Sequence, residues 1–138
     1  MFVFAFAFLI AMSYTNAQND GVLIFWGGKN FTGEKWDFHR TLDPQYCYND
    51  NVGKPSSITW KNQLKVGIFS GKAKIAFYTE KDCKGRSRAW FTTEKDFPRD
   101  LYLDGIDNQI KSFMLLQTSK NAAVIVRNAR TRLLRTVD

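Results

Sequence analysis

Short apolar runs, rich in β-branched and aromatic side chains, recur through the middle of the chain. Turn-forming pairs such as Asp43-Pro44 and Ser70-Gly71 separate them, and no convincing 3.6-residue period occurs before residue 119. Short strands at this spacing are typical of an all-β sandwich or barrel. Residues 96–105 are rich in turn formers and are predicted to form a short helix or a loop. The strands are predicted at residues 22–26, 35–38, 57–60, 66–69, 75–78, 89–91 and 110–116.

The first residues have a different pattern. Residues 2–12 form an uninterrupted apolar run, too short to span a bilayer and of the right length for the core of a signal peptide. Thr15 and Ala17 are small residues at the positions that a signal peptidase reads. The alternative, a buried strand, is disfavoured because a polar stretch follows at once. We expect residues 1–17 to be a signal peptide and the mature protein to be secreted.

The chain contains an internal repeat with an offset of 52 residues between its two hairpin motifs. Each copy has an aromatic residue, a second large or apolar residue, a glycine and a distal serine. Two units of four strands each predict a double Greek key of two packed sheets. The glycine would supply a positive φ, and the serine hydroxyl would tie down a folded hairpin. The members are Trp26, Phe31, Gly33 and Ser57, then Tyr78, Cys83, Gly85 and Ser112.

This pattern resembles the signature of the βγ-crystallins over about residues 21–117. The resemblance implies one two-motif domain, a sandwich of two four-stranded sheets. Residues 119–138 are a short basic extension beyond that domain and depart from the family pattern. Cys83 departs from the family pattern, which has an aromatic residue there, and a half-buried cystine could fill the same space. Residues 96–112 resemble the end of a crystallin second motif.

The two cysteines are the only ones in the chain, and with a single histidine they exclude a Cys/His zinc cluster. In an oxidising compartment, Cys47 and Cys83 most simply form one internal disulfide. Two buried free thiols are the alternative. Asn30 begins the sequon Asn-Phe-Thr and is a candidate glycosylation site if the protein is exported.

The net charge of +7 is unevenly distributed, because residues 119–138 hold five basic residues and one acid. This segment fits a basic amphipathic helix that docks on an anionic membrane, with an extra strand or a frayed terminus as alternatives. Basic residues beside aromatic ones around the second hairpin also suit anionic partners; lysines and arginines on the wet face of a strand are the alternative. Nucleic acid is not expected as a partner of an exported protein. The candidates are Lys84, Arg86, Arg88, Arg127, Arg130, Arg132 and Arg135.

The resemblance to βγ-crystallins also implies a possible calcium site, because many members bind Ca²⁺ through a short stretch of Asn, Asp and Ser. In the second copy Lys111 stands where a hydroxyl ligand belongs, and in the first copy the spacing is about two residues too long. We therefore expect weak Ca²⁺ binding at most, and no other cofactor. The candidate ligands are Asn49, Asp50, Ser56, Asp107 and Asn108.

Catalysis is not expected, because the sequence has no Gly-x-Ser-x-Gly nucleophile motif with which His39 could act as a base. The leading hypothesis is a secreted, non-enzymatic protein that binds an anionic membrane surface or an extracellular protein target. By analogy with exported relatives, its role would be that of a defence, antimicrobial, toxin or effector protein. The alternatives are a structural or calcium-binding module and a protease inhibitor that uses residues 41–55. The sequence does not predict an oligomeric state.

Overall fold

Eight strands and one short 3₁₀ turn make up residues 21–119, the part of the chain that the computed structural model describes. Seven of the strands form two antiparallel sheets, one with the strand order β2-β1-β4 and the other with the order β3-β8-β6-β7. The predicted all-β sandwich is therefore confirmed. The strands are β1 (Val22–Gly28), β2 (Thr32–Phe38), β3 (Cys47–Tyr48), β4 (Ser57–Lys61), β5 (Val66–Phe69), β6 (Lys74–Glu80), β7 (Lys84–Phe91) and β8 (Ser112–Leu116), with the 3₁₀ turn at Lys81–Cys83.

The two halves of the chain exchange their third segments. In the first half, β1 and β2 form a hairpin, β3 crosses to the second sheet beside β8, and β4 returns to pair with β1. In the second half, β6 and β7 form the hairpin and β8 returns to pair with β6. This connectivity is a Greek key repeated twice. Each half therefore depends on the other to complete its sheet.

The second crossing segment is irregular, which corrects the expectation of two four-stranded sheets. The N–H of Ile58 donates to the carbonyl of Pro98 (3.0 Å), and the N–H of Leu101 donates to the carbonyl of Ser56 (2.8 Å). Residues 98–101 therefore lie along β4, in the position of a fourth strand. Proline has no N–H to donate, so this ladder stays incomplete and the first sheet has three regular strands. Residues 96–105 form turns and loop.

Aromatic side chains fill the space between the sheets. Phe25 on β1, Phe77 on β6 and Phe113 on β8 are fully buried. The ring centroids of Phe25 and Phe113 are 5.4 Å apart, and those of Phe25 and Phe77 are 5.9 Å apart with an edge-to-face arrangement. Such tilted and edge-to-face contacts are the favoured aromatic geometry. The core thus joins the two halves through side chains from both sheets.

The short strand β5 lies outside both sheets and forms a hairpin between the two halves. Ser70 and Gly71 have φ values of 53° and 78°, as a tight two-residue turn requires. The N–H of Ile68 donates to the carbonyl of Gln117 (2.9 Å), which holds β5 beside the end of β8. Among residues 21–119, no helix is long and apolar enough to cross a bilayer.

Candidate functional site

The β1–β2 and β6–β7 hairpins are folded in the same way at equivalent positions. Both have a register shift two residues before the hairpin turn. Left-handed backbone conformations then follow in the same order in both copies. The φ values are 53° for Asn30, 59° for Phe31 and 81° for Gly33, and 61° for Asp82, 53° for Cys83 and 80° for Gly85.

A buried serine from the last strand of each half ties down its hairpin. The Ser57 hydroxyl donates to the carbonyl of Gly28 (2.6 Å) and accepts from the N–H of Phe31 (3.0 Å). The Ser112 hydroxyl donates to the carbonyl of Glu80 and accepts from the N–H of Cys83 (3.0 Å), the residue that corresponds to Phe31. The two copies therefore use the same pair of backbone groups. This is the βγ-crystallin fold.

Two solved βγ-crystallin structures are similar to this chain. One, from work on the evolution of the eye-lens βγ-crystallin domain fold, has 17% sequence identity, covers 72% of this chain and 89% of its own, and has a TM-score of 0.48. The other, a βγ-crystallin from an archaeon, has 25% identity, covers 70% of this chain and 98% of its own, and has a TM-score of 0.42. No family model matches the sequence, and the search of curated proteins gave no match.

The two serines give a first prediction. Replacing Ser57 or Ser112 by alanine should lower the free energy of unfolding by about 1–3 kcal/mol each, because both hairpin groups lose a partner in a buried setting. Denaturation in urea measures the loss. Ser119→Ala, near the end of the described chain, is the control and should change the free energy by less than about 0.5 kcal/mol. A loss confined to one of the two buried serines would contradict the equivalence of the hairpins.

In the second hairpin, a disulfide-bonded cysteine takes the position that Phe31 has in the first. Cys47 on β3 and Cys83 at the end of the 3₁₀ turn are bonded, with their Cα atoms 5.9 Å apart, so the predicted pairing is confirmed. Cys83 is fully buried and packs with Tyr78 and Met114. Burial raises the pKa of the Tyr78 phenol. The bond thus links the crossing strand of the first half to the folded hairpin of the second.

Three of the five candidate calcium ligands are engaged in side-chain hydrogen bonds. The Asn49 side chain is engaged with Asp82, donating to its carboxylate (2.9 Å) and accepting from its N–H (2.8 Å). The Ser56 hydroxyl contacts the Asn108 side-chain oxygen at 3.4 Å. Asp107 Oδ1 is buried and has no hydrogen-bond partner within residues 21–119.

The surroundings of these residues fit a divalent cation poorly. Asn49, Asp50 and Asn108 line one cleft of about 400 Å³, and Lys54, Lys81 and Lys111 line the same cleft. Ammonium groups repel a dication. In the part of the chain that the structure describes, no three His, Cys, Asp or Glu side chains converge as a metal-binding group. Calcium binding stays a prediction.

The arginines of β7 lie against the loop that precedes β8. The guanidinium of Arg86 donates to the side-chain oxygen of Gln109, and that of Arg88 donates to the carbonyl of Asp104 (2.9 Å). Burial raises the pKa of the Asp104 carboxyl, and nearby Asp100 adds to the rise while Arg88 opposes it. These arginines therefore brace the loop. Lys84 is exposed opposite Glu80, whereas Arg127, Arg130, Arg132 and Arg135 lie outside the described residues.

A second group of basic residues covers aromatic rings beside the β5 hairpin. The Lys74 ammonium lies 5.0 Å from the ring centroids of both Phe69 and Phe91, and that of Lys72 lies 5.4 Å from Phe91. On the same hairpin, Val66 is paired with Lys72, and Val66 and Ile68 are 67% and 62% exposed. Cations over rings are stabilised by the ring quadrupole. We refer to these six residues as the cation–aromatic face.

The remaining sequence candidates occupy the surface or the sandwich itself. Asn30 is exposed on the first hairpin turn, and His39 is exposed 3.8 Å from an Asp37 carboxylate oxygen. Residues 41–55 include β3, and the N–H of Gln45 donates to the carbonyl of Leu115 (2.8 Å). Leu42, Tyr48 and Val52 from this segment are buried. The segment proposed as an inhibitory loop is therefore part of the sandwich.

Sequence reasoning missed the apolar half of the cation–aromatic face. Val66 and Ile68 were assigned to a strand, and alternation within a strand gave no reason to place both in solvent. One sequence feature could have indicated their exposure. The Ser70-Gly71 pair follows a strand of only four residues, and a hairpin that short cannot bury both of its faces.

Proposed function

We propose that this protein is an exported, non-enzymatic binding protein that docks on anionic lipid surfaces through the cation–aromatic face. The observation that carries the proposal is the pairing of Lys72 and Lys74 with half-buried rings, next to the exposed side chains of Val66 and Ile68. The βγ-crystallin fold is a scaffold for this function and does not by itself select it.

Two physical terms favour a lipid surface as the partner. A lysine near an anionic membrane contributes about 1 kcal/mol of attraction. Exposed aliphatic side chains next to those lysines can enter the boundary between headgroups and acyl chains, where their burial is favourable. Val66 and Ile68 lie on a strand that belongs to neither sheet, so they can enter without unfolding either sheet.

Export of the protein is supported by two features. The apolar run of residues 2–12 has the length of a signal-peptide core. The Cys47–Cys83 disulfide is a bond that persists in oxidising compartments. A protein that leaves the cell and binds anionic lipid suits the defence, toxin or effector role predicted from the sequence.

Vesicle co-sedimentation tests the proposal. The protein is expected to bind vesicles that contain phosphatidylserine and to bind phosphatidylcholine vesicles far more weakly. Lys72→Gln with Lys74→Gln should weaken binding about 30-fold, since two attractions of about 1 kcal/mol are lost. The matched control, Lys61→Gln with Lys95→Gln, removes the same charge elsewhere and should cost much less.

Three further variants separate the alternatives. Ile68→Ser should weaken vesicle binding, whereas Leu103→Ser, at a side chain that is 79% exposed in another loop, should not. Deleting residues 119–138 measures how much the basic tail contributes to vesicle binding. Binding that vanishes with the deletion and is unchanged in the Lys72/Lys74 variant would overturn the proposal and assign docking to the tail.

A further inference from the structure

Three lysines from separate parts of the chain line one cleft. Lys54 precedes β4, Lys81 lies in the turn between β6 and β7, and Lys111 lies immediately before β8. The cleft has a volume of about 400 Å³, and asparagine side chains make up much of the rest of its lining. We call it the lysine cleft; its polar lining is Asn49, Asp50, Asn51, Lys54, Lys81, Asn108 and Lys111.

The charge of the lysine cleft is not neutralised by the residues that the structure describes. None of its three lysines forms an ion pair within residues 21–119. Asp50 is the carboxylate among the lining residues. Even if Asp82, which is hydrogen-bonded to Asn49, is counted as well, one positive charge remains in excess. Such a local excess attracts anions.

The backbone that carries these lysines is held in place. The N–H of Lys111 donates to the carbonyl of Tyr78 (2.9 Å). Gly53, next to Lys54, has a φ of 68°, and a Cβ there would lie 2.2 Å from the Trp36 ring, so the chain is packed tightly against that ring. The paired hydrogen bonds between Asn49 and Asp82 join the turn that carries Lys81 to the loop after β3. The main chain that carries the three exposed lysines is therefore already ordered, so binding would cost mainly the entropy of their side chains.

We propose that the lysine cleft binds a phosphate group. A phosphate dianion can share its oxygens among several ammonium groups, which act as point charges, and among amide N–H donors such as those of Asn51 or Asn108. Inorganic phosphate and a phosphorylated headgroup offer the same chemistry to the cleft. This proposal does not depend on the cation–aromatic face, because the two share no residue.

Isothermal titration of the full chain with inorganic phosphate and with inositol trisphosphate, at constant ionic strength, tests the proposal. At least one of them should bind saturably, and tighter binding of the inositol compound would identify a headgroup as the preferred source. Lys54→Gln with Lys111→Gln should weaken binding at least about tenfold. Lys61→Gln with Lys95→Gln removes the same charge outside the cleft and should leave the affinity within about twofold.

The outcomes also separate this site from the lipid-docking face. The Lys72→Gln, Lys74→Gln variant should bind phosphate as the parent does, even if it no longer sediments with vesicles. An absence of saturable binding by both anions would overturn the proposal, and so would equal losses in the cleft variant and its control. Saturable Ca²⁺ binding that is strengthened in the Lys54/Lys111 variant and not competed by phosphate would also overturn it.

Discussion

Replacing Phe113 by alanine is expected to lower the free energy of unfolding by about 3–5 kcal/mol. Phe113 is fully buried on β8. Its ring lies 5.4 Å from Phe25, 5.2 Å from Phe38 and 5.5 Å from Tyr48, measured between centroids. Because these rings belong to β1, β2 and β3, alanine would leave a cavity where both sheets and both halves meet. Each lost aromatic contact costs about 0.5–1.5 kcal/mol beyond the loss of buried apolar area, so we expect a value in the upper part of this range.

Guanidinium denaturation of the purified variant measures this loss. Leu103→Ala is the matched control for removing an apolar side chain in solvent, and it should change the free energy by less than about 0.5 kcal/mol. Phe113→Leu, which keeps most of the volume, should cost about 1–2 kcal/mol and gives a reading if the alanine variant does not fold. A loss below about 1 kcal/mol for Phe113→Ala would mean that this ring is not the junction of the core.

The hairpins of the fold could be predicted because their chemistry is local and repeated. Gly33 and Gly85 both adopt the positive φ that the repeat predicts, and Ser57 and Ser112 both make the predicted bonds to their hairpins. Each of these residues has a function that its type alone indicates, since glycine tolerates a left-handed backbone and a small hydroxyl can bond to main-chain groups. Two copies of the motif at a fixed offset support a prediction of this fold that one copy alone would not support.

The crossing segments could not be predicted, because they are defined by partners distant in sequence. Strand β3 has two residues, Cys47 and Tyr48, too few for an alternation of apolar and polar positions. Residues 98–101 make one main-chain bond to β4 and one to Ser56 just before it, through a stretch that begins with proline and carries no strand pattern. In both cases the segment pairs with a strand edge from the other half of the molecule, so tertiary contact determines its conformation and local propensity does not.

The lysine cleft was missed for a related reason. Lys54, Lys81 and Lys111 are 27 and 30 residues apart in sequence, and each by itself is typical of a solvated surface position. In the sequence alone, Lys111 is a residue whose charge weakens a predicted calcium site. The fold places it in one cleft with two other lysines, and the same charge then becomes part of the proposed phosphate site.

Removing the disulfide should destabilise the protein by about 3–4 kcal/mol, which is the chain-entropy value for a loop closed over a sequence separation of 36 residues. The bond also has a specific structural task, because β3 pairs with β8 at two positions and Cys47 is one of them. Without the bond, β3 is expected to open locally before the rest of the sheet does. The hairpin itself should stay folded, because Ser112 still bonds to the main chain of residues 80 and 83.

Two measurements separate the global effect from the local one. In guanidinium denaturation, Cys47→Ala with Cys83→Ala should unfold at lower denaturant than the oxidised protein, and a thiol reductant should shift the parent toward the double variant while leaving that variant unchanged. In hydrogen exchange, the amide of Tyr48 should lose far more protection than that of Phe77, which lies on β6 between β7 and β8 and does not pair with β3. Equal losses at both amides would show that the disulfide acts on the whole domain, and a double variant as stable as the oxidised parent would contradict the prediction.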